Sequence, residues 1–545
     1  MDRRSFISSG LSLGTLAAGA LVSGKFADAL SADTKGVPGA TVETTTGKVR
    51  GLAEGGVQAF RGVPYAASTA GANRFQPPVK RQPWTGVREA YELGLRCPQR
   101  PSDFHGAVAK EWEVMALDEP MGEDCLILNV WTPSVGAGHK RPVMLWLHGG
   151  GYTSGSGGFI PYNGQELAKK HDVVVVVVNH RLSVFGFLYL AGMGGEKFAH
   201  SSNVGMLDMI ASLEWVRDNI AAFGGDPGNV TIFGQSGGAG KVSVLMAMPP
   251  AKGLFHRAIV QSGAALKGAS RDAASKSTAT YLEKLGLRPD QVDQLQTLTT
   301  DQLLAGIFGG PFPGAGQVLE PVVDGTTLPM DPFDPVAPAI SADIPLLIGT
   351  TETEVTFFPG QQLDPIDDAD LHARIKRTLR RADDAKVDQV IAAYRKGRPS
   401  ATNTDLFLII SSDATFRAGV VLEAERKAAE AKAPVYQYYF TWRSPVHDGK
   451  MRSFHTLDIP FAFDDIDLAA PMTGTGPEVQ ALADKVSGAW VAFARTGNPN
   501  HKGLPNWKPF DNTQRATMIL NNECKLVNDP YGEEQHLLRT TQAGG

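Results

Sequence analysis

Two kinds of apolar spacing alternate along the chain from residue 142 onward. Residues 143–147 (VMLWL) and 173–178 (VVVVVV) are unbroken apolar runs, the second wholly β-branched, and each ends in a polar or glycine-rich turn. Such runs read as strands covered on both faces, the pattern of a buried parallel sheet. Between 204 and 223, Met206, Met209, Ile210, Leu213, Val216 and Ile220 recur at helical spacing while Glu214, Arg217 and Asp218 fall off that stripe, which predicts an amphipathic helix. A short buried strand follows at 230–233, then a sharp turn at 234–238 and a helix starting near Ala239. Further strands are expected at 258–261, 346–349 and 435–440. Residues 270–395 are expected to be mainly helical, apart from the strand at 346–349 and a Pro- and Gly-rich loop at 309–316. This alternation defines an α/β fold with a large, mostly parallel central sheet flanked by helices.

Composition changes that picture little: 42% hydrophobic and 20% charged residues describe an ordinary globular chain able to bury a large core. The formal net charge of -5, without a long basic run, provides no electrostatic footprint for nucleic acid. The N-terminus is more informative. Arg3 and Arg4 precede Ser5-Phe6-Ile7 and a weakly apolar, glycine-broken stretch at 11–22. This reads as a twin-arginine export signal, too weakly apolar for a membrane span. Cleavage near Ala29 or Ala32 leaves residues 33–545, which show no repeat or low-complexity linker, as one domain that is periplasmic or secreted. The alternative is an uncleaved apolar tail. Three cysteines suit an exported protein with one bridge and one thiol left over. Cys97 and Cys125, close in sequence and far from Cys524, are the favoured pair, with three reduced thiols as the alternative. No paired cysteine spacing accompanies a histidine cluster, so no zinc site is expected.

Gly234-Gln235-Ser236-Gly237-Gly238 has the GxSxG form between a predicted strand and a predicted helix. A serine on such a turn is strained and exposed, with the positive end of the helix dipole beside its hydroxyl. His148-Gly149-Gly150-Gly151 follows the strand at 143–147 and has the form of an oxyanion loop, whose glycines let backbone amides approach a substrate. The amides of Gly150, Gly151 and Gly237 are therefore the candidate oxyanion donors. In this arrangement an acid and then a histidine follow the serine in chain order.

Together with Phe60-Arg61-Gly62-Val63-Pro64-Tyr65-Ala66, Glu123-Asp124-Cys125-Leu126-Ile127-Leu128-Asn129-Val130 and Phe223-Gly224-Gly225-Asp226-Pro227, these motifs resemble the type-B carboxylesterase family over nearly the whole mature chain. That family also includes cholinesterases and the noncatalytic neuroligins. The resemblance implies an α/β-hydrolase fold and a small-molecule ester substrate, with no metal and no cofactor. It implies Ser236 as nucleophile, Glu354 as acid ahead of Phe357-Phe358, and His455 as base in Phe454-His455-Thr456-Leu457-Asp458. Glu352 is expected to face solvent, and His447 is the competing histidine. The family pairing of Cys97 with Cys125 closes a loop near the site entrance, and Ser262 in Gln261-Ser262-Gly263 is implied to support the acid. Three positions depart from the family pattern: Val355 replaces a usual glycine, Gln235 a common glutamate, and Gly237 a usual alanine. The missing carboxylate at 235 favours a neutral ester over a choline ester, and Gly237 implies extra room near the oxyanion. The rival functions are hydrolysis of a carbamate, amide or lactone by the same residues, and a noncatalytic binding role. No oligomeric state is implied.

Overall fold

The computed structural model describes residues 36–100, 119–309, 316–358, 360–361 and 363–543. The expected export signal at 1–32 lies outside the described residues, as does most of the loop at 309–316. Among the described residues one sheet holds thirteen strands. They are β1 (Val37–Thr44), β2 (Gly47–Glu54), β3 (Val57–Pro64), β4 (Val87–Glu89), β5 (Ile127–Thr132), β6 (Arg141–Leu147), β7 (Val174–Val178), β8 (Gly225–Gln235), β9 (Arg257–Gln261), β10 (Leu346–Thr351), β11 (Val435–Phe440), β12 (Ala516–Leu520) and β13 (Lys525–Asn528). Their order is β1-β2-β3-β5-β7-β6-β8-β9-β10-β11-β12-β13, with β4 beside β2. From β7 across to β12 every pair is parallel. The strands outside that centre, β1, β2, β3 and β5 on one side and β13 on the other, join antiparallel.

Alternation along the central strands builds two cores. Leu145, Leu147, Val176 and Val178 join one apolar cluster, and Met144, Trp146, Val175 and Val177 join the other. Successive side chains of a strand point to opposite faces, so both faces are sealed. The helix Gly237–Ala247 packs on the first face and the helix Pro477–Thr496 on the second. Trp146 anchors the second face between Phe233 and Phe463, with ring centroids 4.8 and 5.0 Å away.

Three expectations change. The helix Val204–Asn219 is sunk into the core more deeply than an amphipathic stripe requires, with only Arg217 and Asp218 exposed. Its buried polar side includes Asp208, which is fully buried and paired to Arg181 at 2.6 and 2.8 Å. β8 begins at Gly225 because its ladder with β6 resumes there, opposite Arg141, beyond a bulge. The region 270–395 is less helical than expected: the described residues of 306–338 form no helix or strand.

Candidate active site

The carboxyl ends of β6, β8, β10 and β11 lie near one another, and each leads into a segment of the site. β6 runs into His148-Gly149-Gly150-Gly151, β8 into Ser236, β10 into Glu354, and the segment after β11 carries His455. Strand ends of this kind are where ligands sit on open α/β sheets.

Ser236 has φ 58° and ψ −126°, a conformation that costs a non-glycine residue about 1–3 kcal/mol. The surroundings hold it there. Its amide donates to the Gln261 carbonyl at 2.8 Å, and its own carbonyl accepts from Gly240 at 3.1 Å. The turn is packed backbone to backbone, since a Cβ on Gly238 would lie 2.0 Å from the Leu147 carbonyl oxygen. Gly150 and Gly151 take φ of 87° and 61°, which glycine adopts freely. Gly237 leaves no spare room, contrary to expectation. A Cβ there would stand 2.3 Å from the oxygen and 2.4 Å from the Cα of Gly151. The Gly151 backbone occupies the space an alanine would fill.

On the other side of the site, His455 Nδ1 donates to Glu354 Oε2 at 2.5 Å, and both residues are buried. The second carboxylate oxygen accepts from the Thr351 amide at 2.8 Å, so the acid is held at both ends. This pairing fixes the imidazole with its proton on Nδ1 and its lone pair on Nε2. The Gln235 amide donates to that lone pair at 3.1 Å; among the described residues Ser236 Oγ does not. Catalytic hydrogen bonds are often long without substrate and tighten when it binds. Phe416, Phe358 and Phe357 surround the ring, with centroids 4.8, 5.4 and 5.7 Å away. Val355 lies in the regular 3₁₀ turn Glu354–Phe357, where glycine is not needed, and its amide donates to Ser412 Oγ at 3.1 Å.

Other expected placements differ. Ser262 does not reach Glu354: its buried hydroxyl has no hydrogen-bond partner among the described residues. Glu352 is not solvated but buried beside Arg443 at 3.4 Å, and burial pushes its carboxyl up. His447 is exposed in the turn Val446–Gly449. Cys97 and Cys125 are buried, Cys97 Sγ donates to the Pro98 carbonyl at 3.7 Å, interaction with the Cys97 thiol and burial push Cys125 up, and no bridge links the two. One polar group near the base escaped sequence reasoning. Asp458 is fully buried, accepts from Tyr438 at 2.7 Å and Gln261 at 3.1 Å, and is pushed up to about 6 by burial. Its only sequence signal is its place three residues after His455.

These features agree with what the chain is similar to. The profile described as "Carboxylesterase family" matches residues 38–538, so the chain belongs to the carboxylesterase family and is a carboxylic ester hydrolase with the α/β-hydrolase fold. Its relatives include the para-nitrobenzyl esterase of Bacillus subtilis (strain 168), 36% identical over 91% of this chain and 98% of that one. The phenmedipham hydrolase of Pseudarthrobacter oxydans is 35% identical over 91% and 97%. Among solved structures, the carboxylesterase of Geobacillus stearothermophilus at pH 6.2 matches with TM-score 0.78 and 37% identity, covering 91% of this chain and 99% of that one. Among the described residues no helix is long and apolar enough to cross a membrane.

Proposed function

We propose that this enzyme cleaves a neutral carboxylic ester through an acyl-enzyme on Ser236, with His455 as base and Glu354 as its orienting acid. The observation that carries the reading is the buried 2.5 Å contact from His455 Nδ1 to Glu354, which makes Nε2 the nitrogen able to accept a proton. Ser236 Oγ attacks the ester carbonyl as its proton passes to Nε2, for which Gln235 must yield its hold on that nitrogen. The amides of Gly150, Gly151 and Gly237 receive the oxyanion. The bond to the alcohol then breaks, with His455 returning the proton to the departing oxygen. Water, deprotonated by the same nitrogen, attacks the acyl carbon and releases the acid and Ser236. Gln235 brings no charge to the site, which favours a neutral alcohol group.

A second reading, an aryl carbamate as substrate, is favoured by the similarity to phenmedipham hydrolase. Hydrolysis of p-nitrophenyl esters of increasing acyl length, beside a matched p-nitrophenyl carbamate, separates the two. The ester reading expects fast, Ser236-dependent turnover of at least one ester and slow carbamate turnover. Faster carbamate turnover, or esterase activity that survives Ser236→Ala, contradicts it.

Residues 33–545 act in this reading as one exported catalytic domain, periplasmic or secreted, released from the signal at 1–32. Export is also where the neighbouring thiols of Cys97 and Cys125 would close into a bridge, which their contact supports. One alkylatable cysteine out of three in the exported, denatured protein is the expected result; three would contradict it.

A further inference from the structure

Lys241 sits on the first turns of the helix Gly237–Ala247, directly behind Ser236, and is completely buried. None of the ion pairs among the described residues includes it. Its recorded hydrogen bond runs from Nζ to the carbonyl oxygen of His148 at 2.9 Å, and the Tyr152 ring lies 5.9 Å from the amine. An ammonium buried without a carboxylate is costly, and burial pushes this one down to about 7. The neighbouring imidazoles cannot offset its charge. His148 and His180 stack at 4.7 Å with planes 7° apart, and burial beside Lys241 holds both below the usual histidine range.

What the lysine secures is the start of the oxyanion loop. His148 Nδ1 donates to the Gly149 carbonyl at 2.9 Å, and the Gly150 carbonyl accepts from the amides of Thr153 and Ser154 at 3.3 and 3.0 Å. In a planar trans peptide the carbonyl and the following N–H point in opposite directions. Anchoring the carbonyls of His148, Gly149 and Gly150 therefore aims the amides of Gly149, Gly150 and Gly151. The second and third anchors lie within the loop itself. The first comes from the helix that Ser236 begins, and so ties the amides to the nucleophile.

We propose that Lys241 is a positioning residue for the oxyanion loop: by holding the His148 carbonyl it fixes the Gly149 peptide, from which the donor amides of Gly150 and Gly151 follow, relative to Ser236. This rests on the reading of Gly150 and Gly151 as oxyanion donors. A group retained at such a cost in stability fits a role in activity rather than in folding. A misaimed donor weakens binding of the transition state without weakening binding of the ester.

The test is Lys241→Met, which keeps the volume and removes the donor, with Lys241→Gln as a second variant that retains a shorter donor. For the methionine variant, kcat on p-nitrophenyl acetate should fall about 10- to 100-fold with KM within about twofold. Affinity for an aryl trifluoromethyl ketone, which forms an oxyanion adduct, should fall by a similar factor. The melting temperature should stay level or rise, an outcome a merely structural residue would not give, and the glutamine variant should recover part of kcat. Should the methionine variant fail to fold, a glutamine variant that folds with unchanged kcat overturns the proposal. So does a folded methionine variant with unchanged kcat, or one whose lost activity tracks a lowered melting temperature. A wild type whose activity does not depend on Ser236 would instead overturn the reading of the site itself.

Discussion

Around the tips of β6 and β8 the buried groups beside Ser236 include backbone amides, two imidazoles held neutral and the amine of Lys241; beside His455, beyond β10 and β11, they include the carboxylates of Glu354 and Asp458. Glu354 and Asp458 lie close to His455, and Glu352 lies two residues before the acid. Even the buried acid that packs on the nucleophile's helix obeys the division. Glu423 accepts from Ser243 at 2.9 and 3.0 Å, and burial pushes it up to about 8, so it carries little charge at neutral pH. Ester hydrolysis separates charge in the same sense, with an oxyanion on the acyl oxygen and an imidazolium on the base. In the proposed mechanism the fold supplies donors on the side where negative charge appears and a carboxylate on the side where positive charge appears, before any substrate binds.

Erasing one half of the contrast gives the largest effect. Glu354→Gln replaces the acceptor of the His455 Nδ1 proton with a group that can donate, and should lower kcat about 10⁴-fold with little change in KM. A fall of less than about tenfold in steady-state kinetics would place the acid elsewhere. Disturbing the other half should cost less. Gly237→Ala drives a methyl group into the Gly151 backbone and should lower kcat about 10- to 100-fold, affecting esters of all chain lengths alike. An unchanged rate across an acyl series would mean the loop moves aside freely.

Gln235→Glu blurs the division by placing a carboxylate against His455 Nε2. The imidazolium is then favoured, so the acid limb of kcat/KM should move up by about one pH unit. Turnover of a choline ester should rise relative to its uncharged isostere; a profile and a preference that both stay put would contradict this. The smallest effect is on stability. Glu423 is raised from 4.5 to about 8 in the folded state, which therefore binds the extra proton between those values. Wild-type stability should be full below that window and decline as pH rises through it. The melting temperature of wild type should thus fall by about 2–4 °C more than that of Glu423→Gln over the same range. Parallel curves would show the group to be ordinary.

The same two halves were not equally legible in the sequence. The elbow and the oxyanion loop are local motifs joined to strands whose apolar runs are unbroken, as in β7, where every residue is fully buried. Their positions follow from adjacent residues. The acid and base come from distant segments, and only motif resemblance singled them out. Groups whose role depends on a partner far along the chain left no trace: Lys241 on His148, Asp458 under Tyr438, Glu352 covered by Arg443. The reading of Glu352 as solvated failed for that reason. The margins of the sheet were missed on similar grounds. β4 is exposed throughout and β13 is exposed at both ends, so neither shows an apolar run. Ser262 was assigned from resemblance alone, and its hydroxyl does not meet Glu354.

The central claim is that Ser236 is the nucleophile on which the acyl group is carried. The most direct test is to titrate the enzyme with diethyl p-nitrophenyl phosphate, following released p-nitrophenol, remaining esterase activity and the mass of each peptide. One equivalent of p-nitrophenol, activity lost in proportion, and the phosphoryl group found on the peptide bearing Ser236 is the predicted result. Full activity after stoichiometric labelling, or the adduct on another residue, would contradict it.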